Sequence, residues 1–233
     1  DICFSQNHET KKYLKNLGAK KINLLGNLKF SKSKSKKNYN FHNKLKKIFN
    51  HKMIWCAAST HNTEERICAL AHKKLKIKHK NLLTIIIPRH IQRSNSIINE
   101  IENLDLKVQK RSANNKISKN TDIYLVDSYG ETEFFYKICK TVFLGGSLIN
   151  HGGQNPLEPA RFGCKILHGP YVQNFGEVYN FLEKNNLSYK FRNTEQLTNF
   201  LKKSFSKKIN FTNKTIKLKK MGSDILNNTL ADI

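Results

Sequence analysis

Short apolar runs rich in β-branched residues alternate with longer amphipathic stretches along most of the chain. The runs are almost continuously hydrophobic, as in MIWCAA and LLTIII, which is typical of strands buried on both faces of a parallel sheet. The predicted strands are residues 2–5, 22–25, 53–58, 82–87, 107–109, 123–126, 141–144, 165–168 and 188–191.

Between most of these runs the apolar residues recur with helical spacing. Asn62, followed by Glu65 three residues later, has the spacing of an N-cap pair at the start of the second helix. The alternation of strands and helices predicts an α/β fold, in which helices cover both faces of a parallel sheet. The predicted helices are residues 9–17, 64–79, 94–103, 131–139, 156–162, 175–184 and 195–204.

A change of composition divides the chain near its N-terminal end. Residues 29–40, KFSKSKSKKNYN, are rich in Lys and Ser and lack apolar periodicity, so we interpret them as a linker. A basic tail that contacts phosphate is the alternative. Residues 1–28 hold only a β-α-β piece, which we interpret as the remnant of a preceding domain. Residues 41–233 would form the main domain, ending in a helix at residues 214–232.

The composition is that of a globular protein. The chain has 233 residues, 38% of them hydrophobic and 10% aromatic, which is enough to bury a core. No apolar run approaches the length of a membrane span. The N-terminal DICFSQNHETKK lacks an initiator Met and a signal-peptide pattern, so we expect it to come from within a longer protein. The five cysteines lack CxxC spacing, which favours reduced, buried thiols over disulfides or zinc.

The formal net charge is +25, yet it says little about a partner. Only six of the 42 basic residues are Arg, the residue favoured for reading base edges and phosphates. Because Lys is dispersed beside many Asn and Ile, we interpret the excess as a compositional bias of the genome. Attraction to an anionic membrane surface or to nucleic acid is the alternative, and we expect no specific nucleic-acid partner.

One segment, GGSLINHGGQNPLEPARFG at residues 145–163, combines glycine pairs with the start of a predicted helix. Glycines directly after a strand let the backbone turn sharply and approach a ligand. The free N–H groups of a helix start suit a phosphate, and Glu158 suits a ribose hydroxyl. A glycine-rich turn that serves packing alone is the other interpretation. The candidate residues are Gly145, Gly146, Ser147, Gly152, Gly153, Gln154, Asn155, Pro156, Leu157 and Glu158.

Polar residues also follow three other predicted strands. The carboxyl ends of parallel strands meet at one edge of a sheet, where open α/β folds bind their ligands. Each group alone is a weak signal, but together they predict a cationic, hydrogen-bonding pocket suited to a nucleotide. The groups are Ser59, Thr60 and His61, then Pro88, Arg89 and His90, then Asp127, Ser128, Tyr129, Gly130 and Glu131.

Six motifs follow one another in the order known from one enzyme family. They are GNLKF at 26–30, AASTHNTEE at 57–65, PRH at 88–90, DSYGE at 127–131, the segment 145–163, and GPYVQNF at 169–175. With these motifs the chain resembles the C-terminal half of the bacterial Kdo transferases, the 3-deoxy-D-manno-octulosonic-acid transferases of lipid A assembly. The resemblance covers most of residues 1–185.

The resemblance implies a GT-B glycosyltransferase, in which two Rossmann-like domains face a cleft and the C-terminal one holds the nucleotide. It implies CMP-Kdo as the donor and the lipid A precursor as the acceptor, at the cytoplasmic face of the bacterial inner membrane. By matching position, the CMP-binding residues would be Pro88, Arg89, Tyr129, Gly130, Glu131, Asn155, Pro156, Leu157 and Glu158, supported by Ser59, Thr60, His61, His90, Gly145, Gly146, Ser147, Gly152, Gly153 and Gln154.

Transfer of the sugar needs a base for the acceptor hydroxyl and stabilisation of the departing phosphate. The helix start at Asn155 suits the second task, with Arg89 as a cation. The resemblance implies that the base is a glutamate of the N-terminal domain, so we predict no catalytic residue here and expect the isolated chain to be inactive. No acidic pair suggests Mg²⁺, and we expect no metal or other cofactor.

Three positions depart from the family pattern. Gln154 stands where His is common, Ser31 where Asp often follows GNLKF, and Thr132 where Leu is usual. Gln retains hydrogen bonding but cannot carry charge, so a cationic imidazole at this point is in doubt. Two other functions are considered: a GT-B enzyme that uses a UDP- or GDP-sugar, and a basic nucleic-acid-binding module.

Overall fold

The computed structural model describes residues 2–6, 8–24, 49–113 and 117–206. These residues fall into two compact units, one within residues 2–24 and one within residues 49–206. The predicted linker at 29–40 and the predicted helix at 214–232 lie outside the described residues. The domain boundaries therefore stay predictions.

The first unit is a β-α-β piece. Strand β1 (Cys3–Ser5) and strand β2 (Ile22–Leu24) pair in parallel, with Cys3 opposite Ile22. Helix α1 (His8–Asn16) connects them, with an acidic residue in its first turn and a basic one in its last, as the helix dipole favours.

The second unit is built on a parallel sheet. Among the described residues this sheet has seven strands in the order β5-β6-β4-β3-β7-β8-β9, and all neighbours are parallel. The predicted parallel α/β sheet is thus confirmed. The strands are β3 (Met53–Thr60), β4 (Leu82–Pro88), β5 (Val108–Lys110), β6 (Ile123–Leu125), β7 (Thr141–Leu144), β8 (Lys165–His168) and β9 (Ser188–Lys190).

The helices of this unit follow the predicted order. Most differ from the predicted bounds by one to three residues. The shortest of these α-helices follows the glycine-rich segment, and it ends shortly before Gly163, which has left-handed backbone (φ 76°). The helices are α2 (Glu64–Lys76), α3 (Ser94–Glu102), α4 (Thr132–Ile138), α5 (Leu157–Arg161), α6 (Gly176–Lys184) and α7 (Thr194–Ser206).

The hydrophobic core lies along the central strands. Every residue of β4 and β7 is buried, as expected for strands covered on both faces. Trp55, Phe143 and Phe191 pack in the same cluster. Four of the five cysteines are buried and none is in a disulfide, as predicted.

A buried polar network lies at the amino edge of the sheet. His72 of α2 contacts Thr84 through Nδ1 (2.9 Å) and Asp122, just before β6, through Nε2 (3.4 Å). Lys76 lies 3.0 Å from the same carboxylate. Burial alone would raise the pKa of Asp122, but the hydrogen bonds from His72, the Lys107 N–H and Lys76 lower it. This network fixes α2 on the sheet at the edge opposite to the polar strand ends.

Candidate functional site

The chain order of the strands reverses beside β3. From β3 the chain runs to β4 and β6 on one side of the sheet, and later to β7, β8 and β9 on the other. The carboxyl ends of β3 and β7 therefore flank a topological switch point, the place where open α/β sheets bind their ligands. The four polar segments predicted from the sequence lie at the carboxyl ends of β3, β4, β6 and β7, so the fold brings them to this edge. Ser59 and Thr60 are the last residues of β3, and Pro88 is the last residue of β4, so these two strands are longer than predicted.

Glu64, the first residue of α2, holds the end of β3 and the glycine-rich segment together. Its Oε2 accepts hydrogen bonds from the N–H groups of His61 (2.9 Å) and Gly146 (2.8 Å). Its Oε1 accepts from the N–H groups of Ser147 (3.1 Å) and Leu148 (2.9 Å). The carboxylate is fully buried, so burial raises its pKa while the four N–H donors oppose that shift.

The predicted N-cap pair of Asn62 and Glu65 is wrong by one position. The helix begins at Glu64, and the residue before it, Thr63, has left-handed backbone (φ 75°) and makes no side-chain cap. Glu64 instead bonds the N–H of His61, three residues earlier. Glu65 forms a two-pronged ion pair with Arg93 (3.0 and 3.2 Å), which fixes the segment after β4 against α2.

Glycine is required at the switch point by close backbone packing. A β-carbon on Gly145 would lie 2.4 Å from the carbonyl oxygen of Ser59 and 2.6 Å from Cα of Thr60. One on Gly169 would lie 2.0 Å from the carbonyl oxygen of Ser147. Buried Ser147 adds to this packing, since its Oγ donates to the Leu144 carbonyl (2.6 Å) and accepts from the Gly169 N–H (2.8 Å). The segment is therefore tightly seated on β3 and β8.

Helix α5 is shorter than the sequence predicted and begins one residue later. The helix has five residues, and Pro156 precedes it instead of opening it. The side chain of Asn155 accepts a hydrogen bond from the Leu157 N–H (3.0 Å), so that N–H is already bonded. The carbonyl of Gln154 accepts from the Tyr179 hydroxyl (2.9 Å), which holds the preceding turn. Glu158 lies exposed on the first turn.

After β6 the predicted residues take two different roles. Tyr129 is 65% exposed beside Gly130, whose φ of 83° needs glycine. Glu131 instead pairs with Arg111 (2.9 Å) and accepts a hydrogen bond from the Ser128 hydroxyl. Arg111 was not predicted from the sequence, because it lies after β5 and meets Glu131 only through strand pairing.

His61, His90 and His151 come together at the glycine-rich segment, to which His151 belongs. The ring of His61 lies 4.3 Å from that of His151 and 5.7 Å from that of His90, between centroids. His61 is 8% exposed, whereas the other two are exposed. Burial, followed by the positive charges nearby, lowers the pKa of His61 to about 4, so its ring is neutral near pH 7. His151 lies within a motif that the sequence highlighted but was not selected there.

The predicted residues are thus brought to one edge, though not all into one cluster. His61, His90 and Gly146 meet, as do Ser59, Thr60 and Gly145. The segment after β6 stands two strand spacings from β3, about 10 Å. Within the described ranges, no group of three or more His, Cys, Asp or Glu residues has metal-binding geometry. Likewise, no described helix is long and apolar enough to span a bilayer.

Comparison with known proteins gives a consistent result. No family model matches the chain. A 3-deoxy-D-manno-octulosonic acid transferase from Haemophilus influenzae is 36% identical over 163 residues, which are 70% of this chain and 38% of that protein. The crystal structure of the C-terminal CMP-Kdo binding domain of WaaA from Acinetobacter baumannii is 26% identical, with a TM-score of 0.66, and the match covers 79% of this chain and 93% of that one. The chain matches the C-terminal half of the Kdo transferase family.

The structural match to that Kdo transferase domain also settles the fold class. Trehalose-6-phosphate synthase OtsA, at 10% identity and a TM-score of 0.53 over 98% of this chain and 56% of that one, shares the fold alone. The fold is of the GT-B glycosyltransferase type, as the sequence resemblance implied. The chain spans less than half the length of the Haemophilus Kdo transferase that it matches.

Proposed function

We propose that this chain is the donor-binding half of an enzyme that transfers Kdo from CMP-Kdo to the lipid A precursor, lipid IVA. One observation carries the proposal: the likeness to the CMP-Kdo binding domain of WaaA covers 93% of that domain. The polar strand ends at the switch point support it, because they offer a nucleotide the hydrogen-bond partners that such a ligand needs.

In the proposed reaction the bond between the anomeric carbon and the phosphate oxygen of CMP-Kdo breaks, and CMP leaves. A hydroxyl oxygen of the acceptor bonds the anomeric carbon, and its proton passes to a base. We propose that this base is a glutamate of the N-terminal domain. The residues described here would bind the nucleotide and stabilise the charge that develops on its phosphate.

We propose that CMP lies across the carboxyl edge, with its phosphate toward Asn155 and its ribose toward Glu158. The exposure of Arg89, Tyr129 and Glu158 supports this placement, because each side chain can be reached from solvent. Tyr129 offers an aromatic face to the base or the sugar. The proposed CMP contacts remain Pro88, Arg89, Tyr129, Gly130, Glu131, Asn155, Pro156, Leu157 and Glu158.

Replacement of Glu158 tests the proposal. We expect Glu158→Ala to weaken CMP binding about tenfold or more, because a hydrogen bond to a charged group contributes about 1.5–3 kcal/mol. Isothermal titration calorimetry with CMP, UMP and GMP measures this loss and the base preference together. Glu195→Ala is the matched control, since Glu195 is also an exposed first-turn glutamate but follows the edge strand β9.

Two results would contradict the proposal. Unchanged CMP affinity in folded Glu158→Ala would remove Glu158 from the site. Tighter binding of UMP or GMP than of CMP would favour a GT-B enzyme with a UDP- or GDP-sugar donor instead.

We further propose that the reaction takes place at the cytoplasmic face of the inner membrane. The acceptor is a lipid, and the net charge of +25 favours an anionic leaflet.

A further inference from the structure

His61 carries a buried ring nitrogen that has no partner. The residue is 8% exposed, and within the described part of the chain its Nε2 makes no hydrogen bond. The nitrogen faces Gly146: a β-carbon there would lie 3.3 Å from Nε2 and 3.2 Å from Cδ2 of His151. An unpaired buried polar atom costs free energy, and at the proposed ligand-binding edge an oxygen of the ligand can satisfy it.

His72 shows what a buried structural histidine looks like in this protein. It is fully buried, and both of its ring nitrogens have partners, Thr84 and Asp122. His61 differs in being slightly exposed and in having an Nε2 that makes no hydrogen bond to any described residue. The unpaired nitrogen leaves His61 with hydrogen-bonding capacity that a ligand atom can use.

The charged groups that act on His61 are basic. The carboxylate of Glu64 is already shared by four backbone N–H groups, and that of Glu65 is paired with Arg93. Neither is therefore available as a counter-ion to the imidazoles. The groups that face His61 electrostatically are His151, His90, Arg93 and Arg89, all of them basic; Arg93 is balanced by its pair with Glu65, and the other three have no acid among the contacts described above. A site with basic groups and no uncommitted acid among them is complementary to an anion.

We propose that Nε2 of His61 hydrogen bonds an anionic oxygen of the nucleotide sugar, and that the exposed rings of His90 and His151 close around that oxygen. This proposal rests on the proposed function. The oxygen belongs to the phosphate or to the carboxylate of the sugar acid, which share the chemistry that an imidazole recognises. The His151 ring lies against that of His61, so this exposed side chain turns aside to admit the anion to Nε2 and then lies beside the bound oxygen.

The contact is tested with His61→Leu, which removes the ring nitrogens but retains an apolar side chain. Calorimetry with cytidine, CMP and CMP-Kdo separates the two anionic groups. We expect His61→Leu to leave cytidine binding unchanged and to weaken an anionic probe about tenfold. If His61→Leu loses affinity for both CMP and CMP-Kdo, the group that contacts Nε2 is the phosphate. If it loses affinity for CMP-Kdo alone, that group is the carboxylate of the sugar acid. Equal affinity of His61→Leu and the wild type for both probes overturns the proposal.

Two further variants separate ligand contact from structural support. His61→Gln places an amide N–H close to the position of Nε2 and is expected to restore most of the affinity at pH 7. His72→Gln alters a buried histidine at the opposite edge and is expected to change thermal stability without changing affinity. If His61→Leu does not fold, His151→Ala, an exposed position, is the decisive variant. Unchanged affinity for both anionic probes in His151→Ala then overturns the proposal.

Protonation provides a second readout. An anion at Nε2 raises the pKa of His61 above its value of about 4 in the free protein, so binding takes up a proton. The affinity advantage of the wild type over His61→Gln should therefore increase as the pH falls from 7 to 5. CMP-Kdo is the probe for this comparison, because its phosphate is a diester and does not titrate between pH 7 and 5, unlike the phosphate of CMP with its pKa of about 6. An advantage that does not change with pH contradicts the proposal.

The same titrations separate this proposal from the proposed function. If the wild type binds neither CMP nor CMP-Kdo, the proposed function fails and the role of His61 falls with it. If the wild type binds both and His61→Leu binds them equally well, only the role of His61 is overturned.

Discussion

The carboxylate of Glu64 joins two segments that lie far apart in the sequence. Its oxygens accept hydrogen bonds from His61 on one side and from Gly146, Ser147 and Leu148 on the other. Hydrogen bonds to an ionised carboxylate are stronger than those between neutral groups, and here they are buried. One side chain thus fixes the geometry of both sides of the switch point.

We expect Glu64→Gln to lower the free energy of unfolding by about 2–4 kcal/mol. The amide of Gln has one oxygen to offer, and its NH₂ group would face N–H donors that are left without acceptors. Urea unfolding measures the loss. Glu65→Gln is the control, because Glu65 is equally buried but bonds Arg93, which is partly exposed. An effect of Glu64→Gln no larger than that of Glu65→Gln would contradict this role.

At the scale of elements, the segment between β7 and α5 is positioned by backbone contact. Gly145 donates its N–H to the Ala58 carbonyl (2.9 Å), and the Gly153 N–H bonds the Gly146 carbonyl (2.8 Å). Gly146, Gly152 and Gly153 all have positive φ, so the segment adopts backbone that other residues rarely take. The rigidity of this turn, which is expected to improve ligand binding, comes from these contacts and not from regular secondary structure.

Gly145→Ala is expected to displace this segment and to weaken CMP binding about tenfold, because the new β-carbon would meet backbone atoms of Ser59 and Thr60. Gly176→Ala is the matched control. Gly176 opens α6, and a β-carbon there meets nothing within 4 Å, so we expect unchanged or slightly increased stability. Calorimetry and thermal unfolding of both variants provide the measurement. Equal CMP affinity in the two variants would show that the segment tolerates movement.

At the scale of the whole molecule, the positive charge and the candidate site should respond differently to salt. Charges at the surface are screened over about 8–10 Å near physiological ionic strength. The proposed contacts to CMP would be short hydrogen bonds from partly buried groups, which salt screens less. The charge therefore favours weak attraction to anionic surfaces, and the site favours binding of a specific ligand.

We expect binding to vesicles that contain phosphatidylglycerol to be lost between about 20 and 200 mM salt, while CMP binding weakens only modestly. Binding to nucleic acid should be equally salt-sensitive and indifferent to sequence. Vesicle co-sedimentation, with phosphatidylcholine vesicles as the neutral control, measures the first expectation. Tight, sequence-selective nucleic-acid binding that persists at moderate salt would favour the nucleic-acid module instead.

The sequence by itself determined most of the elements and the edge at which the candidate residues lie. Runs such as LLTIIIP are almost continuously hydrophobic because both faces of β4 are covered, and a local pattern reflects such burial. The alternation of strands and helices implies parallel strands. Polar residues that come after the strands in the sequence therefore indicate the carboxyl edge of the sheet. The structure and the comparisons confirmed the predicted fold class and family, whereas the CMP-binding residues stay predictions.

Only the tertiary structure decided which of these residues meet. Glu64 bonds residues 82 to 84 positions away, Arg111 reaches Glu131 through strand pairing, and His151 packs against His61. The local pattern instead favoured Asn62 and Glu65 as a helix cap. The carboxylate that accepts a hydrogen bond from the N–H of His61, before the helix, belongs to the neighbouring residue Glu64. Contacts of this kind depend on strand order and on the close approach permitted by Gly145 and Gly146. Neither is encoded in the spacing of hydrophobic and polar residues within a single element.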